Sequence, residues 1–341
     1  MGISEMMKSL NPKITPERKA KVKSIWLALF NKLDKLVKLN LIICPDSNSH
    51  YQESLLWQPY YKALKMMYEH LSNGISFYDE DTIKRFQIDK NFKDFAQIKD
   101  DKKLSVHDIT TDDINAWLGR FRISVEMGSF DNALVDDIKK ERGQIHQFLA
   151  SVYKRWLLEK NKTFNDWYRE ETDAYLPTLM KDYSFRLILT TMFRDLENIG
   201  MSEAESSDRI TDYFKSGRLI TTPYVMISAG LFASLARKAS LGKKTLPTKG
   251  MVTDVKTIAS LAPYCDAMLI DNECRAMLTE EPLKTKLKLD TAFFSQSNIN
   301  DFIKYLDGIE KAASKKHLKT IGEVYGDNWG EPFVEMYDYE E

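Results

Sequence analysis

Histidine and cysteine are scarce in this chain, with five and three residues among 341. Cys44, Cys265 and Cys274 form no CxxC pair and cannot all pair with one another, which excludes a disulfide framework. The histidines at 50, 70, 107, 146 and 317 show no zinc-ligand spacing beyond an HxxE pair, His50 and Glu53, on one helical face. No P-loop and no G-x-G-x-x-G occurs, which argues against nucleotide-driven chemistry. Ser228 lies in MISAG rather than in a G-x-S-x-G frame, so a serine triad lacks support. No run approaches the roughly 18 apolar residues of a membrane span. The start, MGISEMMKSLNPK, has neither the apolar core of a secretion signal nor a Ser or Thr at position six for myristoylation. The expectation is a soluble cytoplasmic protein with reduced thiols and no membrane partner. Lysine and arginine number 49 against 50 acidic residues, a net charge of −1, so no global basic field announces nucleic acid.

Hydrophobic residues make up 43% of the chain, enough for a sizeable core. Thr15 and Pro16 read as a helix start. Val22, Ile25, Trp26, Leu29, Phe30, Leu33, Leu36 and Val37 then recur at helical spacing, with lysines mostly on the other face. The short run LNLIIC, closed by Pro45, reads as a buried strand, and Ser47 or Asn48 caps the helix that follows. GISFY at 74–78 reads as a second strand. Residues 79–245 change character, with helical patterns at 130–159, 164–175, 183–199, 202–215 and 223–239. After 250 the alternation returns: a helix at 254–261, the strand AMLI, a helix at 272–279, the strand TAFFS and a helix at 299–312. Strands alternating with helices predict a parallel sheet covered on both faces.

Carboxylates at strand ends and helix starts are what a hard divalent cation needs. Asp271 follows the strand AMLI, Asp254 opens the helix leading into it, and Glu53 lies on the helix after LIIC. Each also has a plainer role: Asp254 as a helix cap beside Thr253, and Asp271 as the turn between strand and helix. Asp266 and Asp46 read as turn or loop residues. The three cysteines read as buried small hydrophobes. The run from Arg237 to Lys244 and the lysine-rich first helix read as solvated faces that could also hold a phosphate backbone. Trp117, Arg120, Phe121 and Arg122 read as a partly buried aromatic cluster or as a base-stacking surface.

The segments IICPDSNSHYQES, GMVTDVKTIASLAPYCDAMLIDN and FFSQSNINDFIKYL together resemble the PIN-like nuclease superfamily, in particular larger bacterial members with helical insertions. The resemblance implies a three-layer α/β parallel-sheet domain built from residues 1–78 and 246–341, with an all-helical insertion at 79–245. It implies that Glu53, Asp254 and Asp271 are the catalytic, metal-binding acids, that the cofactor is Mg²⁺ or Mn²⁺, and that the activity is hydrolysis of RNA, with DNA as a second substrate. Such domains open with an apolar strand ending in aspartate, and MGISEMMKSLNPKITPER contains neither. That departure supports an alternative, an inactive remnant of the family serving as a protein or nucleic-acid interaction module. A nuclease active only with a protein partner, or a homo-oligomer, is also compatible with the residues.

Overall fold

The computed structural model describes residues 17, 24–57, 61–99, 103–111 and 132–330. The expected helix start at Thr15 and Pro16 and the cluster Trp117, Arg120, Phe121 and Arg122 lie outside them. The architecture corrects the fold expectation. Among the described residues the structure is mainly helical, 73%, with four short strands in two small sheets, and not a three-layer parallel-sheet α/β fold. The physical reason is visible in LNLIIC. Leu39 to Leu41 turn back on the end of α1, Ile42 to Cys44 join no ladder, the bridge that follows is Asp46 with Ser76, and Ile43 is left half exposed. A short apolar run becomes a buried strand only when neighbours on both sides take up its backbone groups.

The chain divides into two compact units, the first from residues 1–77, 110–135 and 294–341, the second from 78–109 and 136–293. In the first, α1 (Ser24–Lys38) buries Trp26, Leu29, Phe30, Leu36 and Val37 along one stripe. It packs on α3 (Tyr61–Ser72) and α13 (Ile299–Ala312), and α2 (Asn48–Leu56) packs on α3. Lys32 reaches Asp307 at 2.6 Å and Glu310 at 2.7 Å, tying α1 to α13 on the polar side of that stripe. Beyond the end of α1 the carbonyls of Lys38 and Leu39 accept from Trp329 Nε1 and His317 Nε2, each at 2.8 Å, the second from α14 (Lys315–Tyr325). These donors satisfy carbonyls that a helix end leaves orphaned. Strand β1 (Ser76–Phe77) pairs antiparallel with β2 (Thr110–Thr111).

The second unit is built on helices. In chain order these are α4 (Glu80–Ala96), most of α5 (Asn132–Leu158), α6 (Phe164–Leu179), α7 (Tyr183–Asn198), α8 (Glu203–Lys215), α9 (Pro223–Ser240) and α10 (Met251–Leu261). Then come β3 (Ala267–Leu269), α11 (Asn272–Thr279), α12 (Leu283–Leu287) and β4 (Ala292–Phe294). Their starts are chemically marked. Thr163 with Asp166 and Ser202 with Glu205 form reciprocal capping boxes, and Pro223 sits at the first position of α9. α9 is apolar on nearly every side and is the core helix, packed on α6 and α10. A second core, around Phe92, Ile188, Met192, Leu196 and Tyr213, joins α4, α7 and α8. Gln87 links the helices by accepting from Tyr224 N at 2.7 Å and donating to the Ser260 carbonyl at 3.3 Å. No described helix is long and apolar enough to cross a membrane.

Candidate functional site

Gly250 precedes α10, and Asp254 stands in the first turn of that helix, where its N–H donates to the Gly250 carbonyl at 2.9 Å. A carboxylate at a helix N-terminus is favoured by the positive end of the helix dipole. Asp271 is the N-cap of α11: its backbone is extended, and its Oδ1 accepts the N–H of Glu273 at 2.7 Å. The plainer reading of Asp271, as the residue that turns strand into helix, therefore holds, and the cap fixes the orientation of its carboxylate.

Cys274 of α11 is fully buried, its Sγ 3.8 Å from Sδ of Met251 at the start of α10. Burial raises this thiol above its ordinary range, and the charges of Asp254, Asp271 and Glu273 raise it further, against an opposing effect of Lys238. It is a buried small hydrophobe and not a thiolate nucleophile. Asp271 caps the helix that carries Cys274, Glu273 precedes it, and Asp254 lies in the first turn of the helix that Met251 opens.

Glu273 is held by an ion pair with Lys243, and the Tyr153 hydroxyl donates to the Lys243 carbonyl at 2.7 Å. Burial raises Tyr153 and the charge of Glu273 raises it further. Sequence reasoning missed Glu273 and Tyr153 as members of this cluster. The acidic run Asp271-Asn272-Glu273 was a usable signal for the first, whereas Tyr153 reads only as core. Lys243 lies within the basic run from Arg237 to Lys244.

Glu53 is exposed on α2, in the first unit, while Asp254 and Asp271 belong to the second. Burial, then the charges of Glu53 and Asp46, raise the hydroxyl of the half-buried Tyr68, and His50 lies one turn before Glu53 on α2. The His50 ring stacks on Tyr68 at 4.6 Å and donates from Nδ1 to Asp46 at 3.2 Å. Asp46 is thus the anchor of a histidine rather than a plain loop residue. Asp266 offers its backbone, accepting from Ala292 N at 2.9 Å between β3 and β4. All three cysteines are free thiols, and burial pushes Cys44 up to about 12.

Among the described residues no three His, Cys, Asp or Glu side chains are gathered closely enough to hold a metal ion. A three-acid centre is therefore not met by these residues. The pair Asp254 and Asp271 still has the donor chemistry of a magnesium site. Mg²⁺ binds through one or two carboxylates and completes its shell with water and phosphate oxygens. No family model matches the chain, and no curated protein and no solved structure was found to be similar to it.

Proposed function

We propose that the chain hydrolyses phosphodiester bonds of RNA with a Mg²⁺ or Mn²⁺ ion held by Asp254 and Asp271. The observation that carries this reading is that α11, capped by Asp271, rests its Cys274 Sγ 3.8 Å from Sδ of Met251, which opens the helix whose first turn holds Asp254. Asp271 is oriented by the Glu273 N–H, and Glu273 is anchored by Lys243. Two acids are thus presented on helix starts, where ordered backbone limits their motion. Lys238, whose charge also reaches the thiol, carries the sign needed to meet a substrate phosphate. A bound divalent ion would supply Lewis acidity, lowering the pKa of its coordinated water and neutralising phosphate charge. Glu53 is no part of this pair.

The test has two readouts. Titration calorimetry with Mn²⁺ should give one saturable binding event, weakened at least about tenfold by Asp254→Asn and by Asp271→Asn. Cleavage of single-stranded RNA in Mn²⁺ should be lost in the same variants while their circular dichroism is unchanged. Cleavage that survives the double substitution sinks the assignment.

A second reading, a non-catalytic interaction module, is supported by the lack of a third ligand among the described residues. It predicts no Mn²⁺ binding and no cleavage, with salt-sensitive RNA binding or protein binding retained.

A further inference from the structure

We infer that Arg142 and His146, one turn apart on α5, form a binding site for a phosphate group. The inference does not depend on a cation at Asp254 and Asp271. The inward stripe of α5 is marked by the buried residues Val135, Ile138, Leu149, Tyr153 and Trp156. Steps of four residues from Ile138 reach Arg142 and then His146, and three more reach Leu149, so both polar residues stand in the stripe itself. Their buried nitrogens, Arg142 Nε and Nη2 and His146 Nδ1, have no hydrogen-bond partner among the described residues.

A buried donor without an acceptor is costly, and a charged one more so. Trp156 Nε1 and Trp167 Nε1 share that condition, but they are single neutral donors inside an aromatic cluster. Arg142 is charged at any working pH. Its two open nitrogens form one edge of the guanidinium, the edge that engages two oxygens at once. His146 adds a third nitrogen one helical turn away, about 5–6 Å between Cβ atoms. A carboxylate that meets the guanidinium edge with both oxygens has no third oxygen to offer and keeps only outward lone pairs in its own plane. A tetrahedral phosphate, as a free ion or in a nucleic-acid backbone, keeps a further oxygen for His146 Nδ1.

The test is thermal unfolding of the full chain at fixed ionic strength with inorganic phosphate, with acetate, or with a short single-stranded RNA. Phosphate at ten times its Kd should raise the Tm by about 2–4 °C. Arg142→Met and His146→Leu should abolish that shift, yet leave the ligand-free Tm equal to or above that of the wild type. Arg142→Lys keeps the charge without the planar edge and should bind about tenfold more weakly. A shift with inorganic phosphate identifies a free phosphate as sufficient. A shift with RNA alone, lost in the same variants, identifies the backbone phosphodiester. The proposal is overturned by no shift with either probe, by a shift that persists in both variants, or by an equal shift with acetate. It also fails if Arg142→Met strongly lowers the ligand-free Tm, since the guanidinium would then have a partner within the protein.

Discussion

Asp34 is 1% exposed and sits between His70 and Lys38, whose Nζ is 2.9 Å from its Oδ2. Burial alone would raise this carboxyl, but hydrogen bonds from His70 and Lys38 outweigh it and hold the group below its ordinary value. The stabilisation is therefore complete above the ordinary carboxylate value and is lost as pH falls through the lower folded value. Asp34→Ala would remove the buried carboxylate that Lys38 and His70 both contact, and urea unfolding should show a loss of about 3–5 kcal/mol. Glu171 has the opposite sign. Burial, then Glu170, pushes its carboxyl up to about 7 from 4.5, against Arg155. The folded state keeps the proton where the unfolded chain releases it, so this group costs stability progressively as pH rises from 4.5 to about 7. Glu171→Gln should raise stability at pH 8 by about 1–3 kcal/mol and change it little at pH 4, measured by denaturant unfolding. At this scale Asp271 was legible, because a cap is written locally; Asp254 was expected to open or cap its helix, but α10 starts three residues earlier, at Met251, with Gly250 before it. Tyr153 beside Lys243 was not, since 90 residues separate them and only the packing of α5 brings them together.

Among the elements, α6 and α9 form the most extensive helix pair. Trp167 of α6 is fully buried, at 6.3 Å from Trp156, with Lys162 Nζ 4.3 Å above its ring. Trp167→Ala should cost about 3–5 kcal/mol in chemical denaturation through the cavity it leaves, whereas Trp167→Phe should cost visibly less. Ser202→Ala removes one side of a capping box and should cost about 1 kcal/mol without touching the acid pair. Helices of this kind announce themselves, because cap, periodicity and stop lie within one stretch of sequence. Strands do not. GISFY holds only two strand residues and LNLIIC holds none, because a ladder depends on partners remote in sequence.

For the molecule as a whole, the predicted alternation of strand and helix after residue 250 was half right in its parts and wrong in their sum. AMLI and TAFFS do contain β3 and β4, but these form a two-stranded sheet and not part of a layered one. Local patterns set the type of each element, while sheet order is decided by the pairing of all strands at once. Far-UV circular dichroism should therefore show the strong double minimum of a helical protein; a spectrum with comparable strand signal would contradict the architecture. The resemblance that named Glu53 with Asp254 and Asp271 rested on short segments, and the acids it grouped are divided between the two units.

The division itself has a consequence during synthesis. The first unit draws on three separated stretches, and the Lys32–Glu310 pair spans 278 residues. The second unit draws on the chain between them. A ribosome adding roughly 5–20 residues per second would release all of the second unit before the segment carrying α13 emerges. α1 can meet α3 early, but the part of it that α13 covers must wait for a partner made many seconds later. Nascent-chain pulse proteolysis should find residues 136–293 protected first, and α1 is the stretch that a chaperone would be called on to shield.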